Sequence, residues 1–191
     1  CAGPGGKAAL LAAEAKRAGA TLQCNEISNH RAALVAQAVR PIDPSIAVSV
    51  TDGRVVPEGN QNKFDRILLD APCTGLGALR RRPESRWRKQ PKDVAELNSL
   101  QEDLFSAAWA SLKPGGVLAY VTCSPHVAET NAVVDWALRK LQNIELLDSN
   151  SVLKTLSPDL KLSSTRKTTQ LWPHIHQTDA MFIALFSKSL G

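Results

Sequence analysis

Metal-binding and cross-linking patterns are scarce in this sequence. Its four cysteines, at positions 1, 24, 73 and 123, form no C-x-x-C pair. That excludes a disulfide scaffold, disfavours a structural zinc site, and points to a reducing compartment, so a cytoplasmic location is expected. The histidines, His30, His126, His174 and His176, offer no metal spacing, and no metal is expected. No apolar run approaches the roughly 18 to 20 residues of a membrane span, and the opening CAGPGGKAALL lacks the basic-then-apolar order of a secretory leader. Neither membrane attachment nor export is expected. Methionine occurs once, at Met181, and the chain opens on Cys1, so a piece of a longer protein is expected. No internal repeat or low-complexity tract is present.

What remains is ordinary globular material. With 191 residues, 43% hydrophobic and 21% charged, the chain fits one domain over 1–191, expected to be monomeric. Helices are expected over Lys7–Ala18, with Gly19 as the stop, over Asn29–Val39, and over Lys92–Leu112, closed by Lys113-Pro-Gly-Gly116. A further helix is expected from Ser124-Pro125 to about Gln142, a hydroxyl cap followed by proline. Strands are expected over Ala20–Glu26, Ser45–Thr51, Phe64–Asp70, Val117–Thr122, Ile144–Asp148 and Ala180–Ser187. Ser149–Thr178 reads as mostly irregular. Such alternation predicts an α/β fold, a parallel sheet with helices on both faces that binds ligands at the carboxyl ends of its strands.

Net charge is +5, but it is concentrated. The stretch RRRPESRWRKQPK from Arg80 to Lys92 carries +6, leaving the rest at −1. A basic loop with Trp87 inside it can pair with phosphates and stack a base. The alternative is a solvated loop whose tryptophan packs on the core.

The polar motifs fall at strand ends. Cys1-Ala2-Gly3-Pro4-Gly5-Gly6-Lys7 is a glycine-rich loop opening a helix, where the backbone can be approached and an anionic group is favoured. It is not a Walker A loop, because Ala8 stands where a Ser or Thr should ligate magnesium; a plain tight turn is the alternative. Glu26 closes the next strand, where an acid can accept hydrogen bonds from ribose hydroxyls, and Asp52 follows the one after. Either could be an ordinary surface carboxylate. Together the three describe a ledge for adenosine joined to an amino acid. Further on, Asp70-Ala-Pro-Cys73-Thr-Gly-Leu-Gly77 and Thr122-Cys123-Ser124-Pro125 follow adjacent strands, so two thiols would reach one small substrate. Buried structural cysteines are the alternative. The expected helix start after Cys123 would lower its thiol pKa.

CAGPGGK, DAPCTGLG, TCS and the late PHxHxTDAMF segment (Pro173 to Phe182) together resemble the Nol/Nop/Sun family of RNA (cytosine-5)-methyltransferases, and most resemble bacterial Sun/RsmB-type enzymes of 16S ribosomal RNA. The resemblance spans the whole chain. It implies a Rossmann-like S-adenosylmethionine-dependent methyltransferase fold whose first strand precedes the glycine loop and is missing here, as is an N-terminal RNA-binding domain. It implies S-adenosylmethionine as cofactor: Cys1, Ala2, Gly3, Pro4, Gly5, Gly6 and Lys7 at its methionine end, Glu26 at the ribose, Asp52 at the adenine amine, with Arg31 and Asp70 near the pocket. It implies Cys123 as the nucleophile that adds to cytosine carbon-6, Cys73 as the aid to product release, and Asp70 on the N3 and N4 edge. The substrate implied is small-subunit ribosomal RNA; from the charge cluster itself, phosphate contacts are expected from Arg80, Arg81, Arg82, Arg86 and Arg88, with Trp87 stacking a base. His174 and His176 face RNA or cap a loop. A non-catalytic RNA-binding module is a second reading, opposed by the presence of both cysteines. A methyltransferase for glutamine or adenine is a third, opposed by a thiol in place of the Asn/Asp-Pro-Pro-aromatic box.

Overall fold

The computed structural model describes residues 1–162 and 165–190, in two compact units, 1–58 and 59–191. The first unit orders α1 (Gly6–Arg17), β1 (Gln23–Glu26), α2 (Asn29–Val39) and β2 (Ala47–Val50). The two strands pair in parallel, Cys24 opposite Val48. Ala8 and Ala12, one helical turn apart on α1, are buried in one cluster with Cys24 of β1 and Val35 and Val39 of α2. Small side chains on α1 thus leave room for the branched residues of α2. Burial raises the Cys24 thiol pKa, so this cysteine is a core residue. Gly19 sits at φ +64°, the left-handed position that stops α1 as expected.

The second unit runs β3 (Phe64–Asp70), α3 (Ser85–Arg88), α4 (Pro91–Ser111), β4 (Leu112–Thr122), α5 (Asn131–Lys140), β5 (Ile144–Leu147), α6 (Ser149–Leu156), β6 (Thr169–Gln170), α7 (Pro173–His176) and β7 (Phe182–Lys188). Its sheet has the order β3-β4-β7-β5, with β6 on β7. Proline opens α4, and the Gln90 amide donates to the Asp93 carboxylate at 3.0 Å. Phe105 of α4 is fully buried, edge-on to Phe186 of β7 at 5.0 Å and tilted against Tyr120 of β4 at 5.9 Å. Each such ring contributes about 1.5–3 kcal/mol through burial, so these contacts fix α4 on the sheet.

Four expectations are corrected. The strands form two sheets, and β3 and β4 are parallel while β7 runs antiparallel to both β4 and β5. The β7 segment alternates buried and half-buried positions, a pattern that does not specify direction. The Lys113–Gly116 stretch does not precede the strand but bulges within it: Phe64 faces Leu112, whereas Arg66 faces Val117, and Gly115 takes φ +77°. Ser149–Thr178, expected to be mostly irregular, holds α6, β6 and α7 among its described residues, and these make up half of them. Asp148 caps α6 by accepting from Asn150 and Ser151, and Ser149 and Asn150 are buried through bonds to Lys167, Thr169 and Arg166. A helix start buried by polar bonds leaves little apolar periodicity to read. Finally, no helix starts at Ser124. A 3₁₀ turn spans Val127–Glu129 and α5 begins only at Asn131.

Candidate active site

In the first unit the glycine loop, Glu26 and Arg31 come together. Glu26 ends β1 with only 1% of its side chain exposed, and its carboxylate accepts from the Gly3 amide at 2.9 Å and the Ser28 amide at 3.2 Å. Arg31 donates to the Gly3 carbonyl at 2.6 Å. Burial pushes the Glu26 carboxyl up, but the bonds from the Gly3 and Ser28 amides, with Arg31 nearby, oppose it, and the pKa ends below the ordinary range. A methyl on Gly3 would meet Arg31 at 2.8 Å, and one on Gly5, at φ +120°, would meet Ala38 at 2.8 Å. These two glycines are therefore required by the protein's own packing. Gly6 differs: it is exposed, with nothing within 4 Å of an added methyl. The first turn of α1 has neither a side-chain cap nor an acidic residue, so its amides suit an anionic group.

Asp52 follows β2, its carboxylate held by Arg54 at 2.6 Å and capping the Arg54 amide at 2.9 Å. Those contacts bring its pKa down to about 2.

In the second unit the two expected cysteines meet. Asp70 closes β3, opposite Val121, and the ladder continues as the Ala71 amide donates to the Val121 carbonyl at 2.9 Å. Just beyond, Cys73 Sγ and Cys123 Sγ lie 3.2 Å apart, both half-buried and not disulfide-bonded. The hydrogen bond with Cys123, followed by burial, raises the Cys73 pKa far above the ordinary thiol value. Two sulfurs this close do not both ionise, and either can donate the proton they share. The expected helix-end stabilisation of Cys123 is overturned, because the Ser124 hydroxyl does not cap a helix: it donates to Glu129 at 2.6 Å and accepts the His126 amide at 3.1 Å.

Two residues without a role in the sequence motifs hold this arrangement. Gly77 donates its amide to the Cys123 carbonyl at 2.9 Å and accepts the Ala180 amide at 2.8 Å. Glu129, fully buried, accepts from Thr74 and Ser124, the residues that follow the two cysteines. Gly77 lay inside the DAPCTGLG box without an assigned role. Glu129 had only one available signal, a lone acid shortly after a hydroxyl-rich loop.

The basic loop is divided. Asp179 pairs with Arg81, and with Arg80 at 3.4 Å, so it ties one end of the cluster to the segment before β7. Those pairs hold the Asp179 carboxyl below its ordinary range. Arg82, Arg86 and Arg88 lie on the exposed part. Trp87 is 79% exposed, with the Arg86 guanidinium 4.7 Å from its ring centre, so it does not pack on the core. His176 takes its loop-capping alternative: Nδ1 accepts the Trp172 amide at 2.8 Å, and Nε2 meets the Lys161 carbonyl at 2.7 Å. His174 packs beside Trp172. Among the described residues no His/Cys/Asp/Glu group could hold a metal ion, and no helix is long and apolar enough to cross a membrane.

Solved structures define the class. The chain superposes on NSun6 from Pyrococcus horikoshii with a TM-score of 0.82 at 27% identity, covering 100% of this chain and 47% of that one. The fold is therefore that of a Rossmann-like methyltransferase. Within that class the chain belongs to the family described as 16S rRNA methyltransferase RsmB/F, which matches residues 1–187. It is 50% identical over 188 residues to a Mycobacterium tuberculosis protein whose name assigns it provisionally to the methyltransferases, covering 98% of this chain and 39% of that protein. It is 35% identical over 197 residues to the human 28S rRNA (cytosine(4447)-C(5))-methyltransferase, covering 98% of this chain and 24% of that enzyme. The chain thus spans well under half the length of both curated relatives.

Proposed function

We propose that this chain carries the catalytic machinery for S-adenosylmethionine-dependent methylation of carbon-5 of a cytosine in ribosomal RNA, with 16S RNA as the target. The observation that carries the reading is the 3.2 Å approach of Cys73 and Cys123 at the ends of neighbouring strands. Methyl transfer to a nitrogen needs no thiol. Carbon-5 of cytosine is a poor nucleophile, and it becomes reactive once a thiolate has added to carbon-6.

In this reading Cys123 Sγ forms the bond to carbon-6. Asp70 holds the N3 and N4 edge so that the ring accepts a proton as the sulfur adds. After methylation the carbon-5 proton leaves to a base, the carbon–sulfur bond breaks, Cys123 departs as the thiolate, and N3 gives back the proton it took up. Cys73, 3.2 Å from Cys123, assists that release. When bound, S-adenosylmethionine supplies the methyl group. Its holders in the first unit would be the Cys1–Lys7 loop, Glu26, Arg31 and Asp52. The open face at Gly6 and the uncapped first turn of α1 fit the amino-acid end of such a molecule. Glu26 would exchange its bond to the Gly3 amide for ribose hydroxyls, and Asp52 would accept from the adenine amine beside Arg54. NSun6 from P. horikoshii was solved with SFG, an S-adenosylmethionine analogue, which supports the cofactor assignment. Arg82, Arg86, Trp87 and Arg88 would take phosphates and a base, with Arg80 and Arg81 at the margin. Action as a monomer in the cytoplasm belongs to the same proposal.

The test is a pair of substitutions in the full-length protein. Cys123→Ala should abolish methylation and covalent RNA attachment, whereas Cys73→Ala should let a protein–RNA adduct accumulate on denaturing gels. An active Cys123→Ala variant would exclude the mechanism.

A further inference from the structure

The two thiols sit on separate loops, and a contact of 3.2 Å between them requires both loops to be fixed relative to each other. One side chain joins them. Glu129 Oε1 accepts the Thr74 amide at 2.7 Å and is 3.5 Å from Gln101 Nε2, while Oε2 accepts the hydroxyls of Thr74 and Ser124, each at 2.6 Å. Thr74 directly follows Cys73, and Ser124 directly follows Cys123. Glu129 and Ser124 are fully buried and Thr74 is 3% exposed, so water does not compete for these bonds.

The carboxylate is itself anchored from behind. The Tyr120 hydroxyl of β4 donates to the Glu129 carbonyl at 2.9 Å, and Asn98 of α4 donates to the neighbouring Ala128 carbonyl at 2.7 Å. Gln101 of α4 also donates to the Pro72 carbonyl at 2.8 Å, on the Cys73 loop. Packing alone does not account for a buried acid side chain here, because a polar group buried without partners is costly and an apolar residue would fill the space more cheaply. An acceptor with two oxygens is what both loops need at once, since each presents donors to it.

We propose that Glu129 is a positioning residue that staples the Cys73 and Cys123 loops and thereby sets the sulfur–sulfur separation used in catalysis. The proposal rests on the reading of Cys123 as the nucleophile. Glu129 touches neither sulfur's reaction partner; it acts through Thr74 and Ser124. Glu129→Gln keeps the shape but turns one acceptor into a donor facing hydroxyls that must then reverse. Glu129→Ala removes the staple.

The test compares full-length wild type, Glu129→Gln and Glu129→Ala by two rates. The first is covalent trapping on RNA containing 5-fluorocytidine. The second uses no RNA: diamide oxidises two thiols to a disulfide, taking up their two hydrogens as a hydrazine, so the rate of Cys73–Cys123 bridging reports their proximity. Both rates should fall about tenfold in Glu129→Gln, the equivalent of one lost hydrogen bond, and about 100-fold in Glu129→Ala, as for misplacement of a reacting group. The Michaelis constant for the methyl donor should not move. A folded Glu129→Ala protein with wild-type rates in both assays overturns the staple. Should Glu129→Ala not fold, Thr74→Val and Ser124→Ala each remove one donor; slowing in either supports the proposal, and wild-type rates in both overturn it. If wild type bridges with Glu129 dependence yet never traps on RNA, the staple stands and the cytosine mechanism fails.

Discussion

Gly77→Ala tests how tightly the two cysteine loops are clamped. An added methyl at this position would lie 2.0 Å from the Ala180 carbonyl oxygen, 2.7 Å from the Cys123 carbonyl oxygen and 2.8 Å from the Cys123 carbonyl carbon. All three are backbone atoms, so no side chain can swing aside. Relief requires breaking the bonds from Gly77 to Cys123 and from Ala180 to Gly77, at about 1 kcal/mol net each. Overpacking strain adds about 1–3 kcal/mol. The expected loss is therefore about 3–5 kcal/mol, a large share of the roughly 5–15 kcal/mol that holds a domain folded. Gly75→Ala is the internal comparison: φ is +74° but the space around it is open, so only a backbone penalty of about 1–2 kcal/mol is expected. Urea denaturation followed by tryptophan fluorescence measures both. The reasoning is refuted if Gly77→Ala costs no more than Gly75→Ala.

Three further outcomes are expected. Gly6→Ala should leave stability unchanged or slightly higher, because the site is open and helical, yet weaken cofactor binding by calorimetry; unchanged affinity would remove the loop from the cofactor site. Because the folded Glu26 pKa lies below the ordinary glutamate value of about 4.3, its contribution to stability is complete above that pH and disappears as pH falls through the lower folded value. The stability gap between wild type and Glu26→Gln should therefore close in acid denaturation, and a gap that persists there would contradict the ionised network. Neutralising Arg82 and Arg88 should flatten the salt dependence of RNA affinity by about one unit of slope per lost phosphate contact; an unchanged slope removes these two arginines from the RNA interface.

Much of this was legible in the sequence, for identifiable reasons. The α2 and β3 segments begin and end where hydroxyl caps, proline and an apolar run place them. The pairing of Cys73 with Cys123 followed from two polar motifs at the ends of adjacent strands. What could not be read depends on distant contacts. Ser124-Pro125 has the local chemistry of a helix start, but its hydroxyl is claimed by Glu129, and a turn forms instead. The compensation of Arg80 and Arg81 by Asp179 joins residues nearly a hundred positions apart. The crowding of Gly77 comes from the Cys123 and Ala180 carbonyls, which lie far from it in the chain.

The placement of β7 constrains how the second unit is made. This last strand hydrogen-bonds to β4 on one side and β5 on the other, so it is central in space although late in the chain. During synthesis β4 and β5 must wait as unpaired edges, vulnerable to self-association, until Phe182–Lys188 leaves the ribosome and inserts between them. An enzyme proposed to modify ribosomal RNA would thus depend, while it is being made, on translation passing Lys188 before this sheet can close.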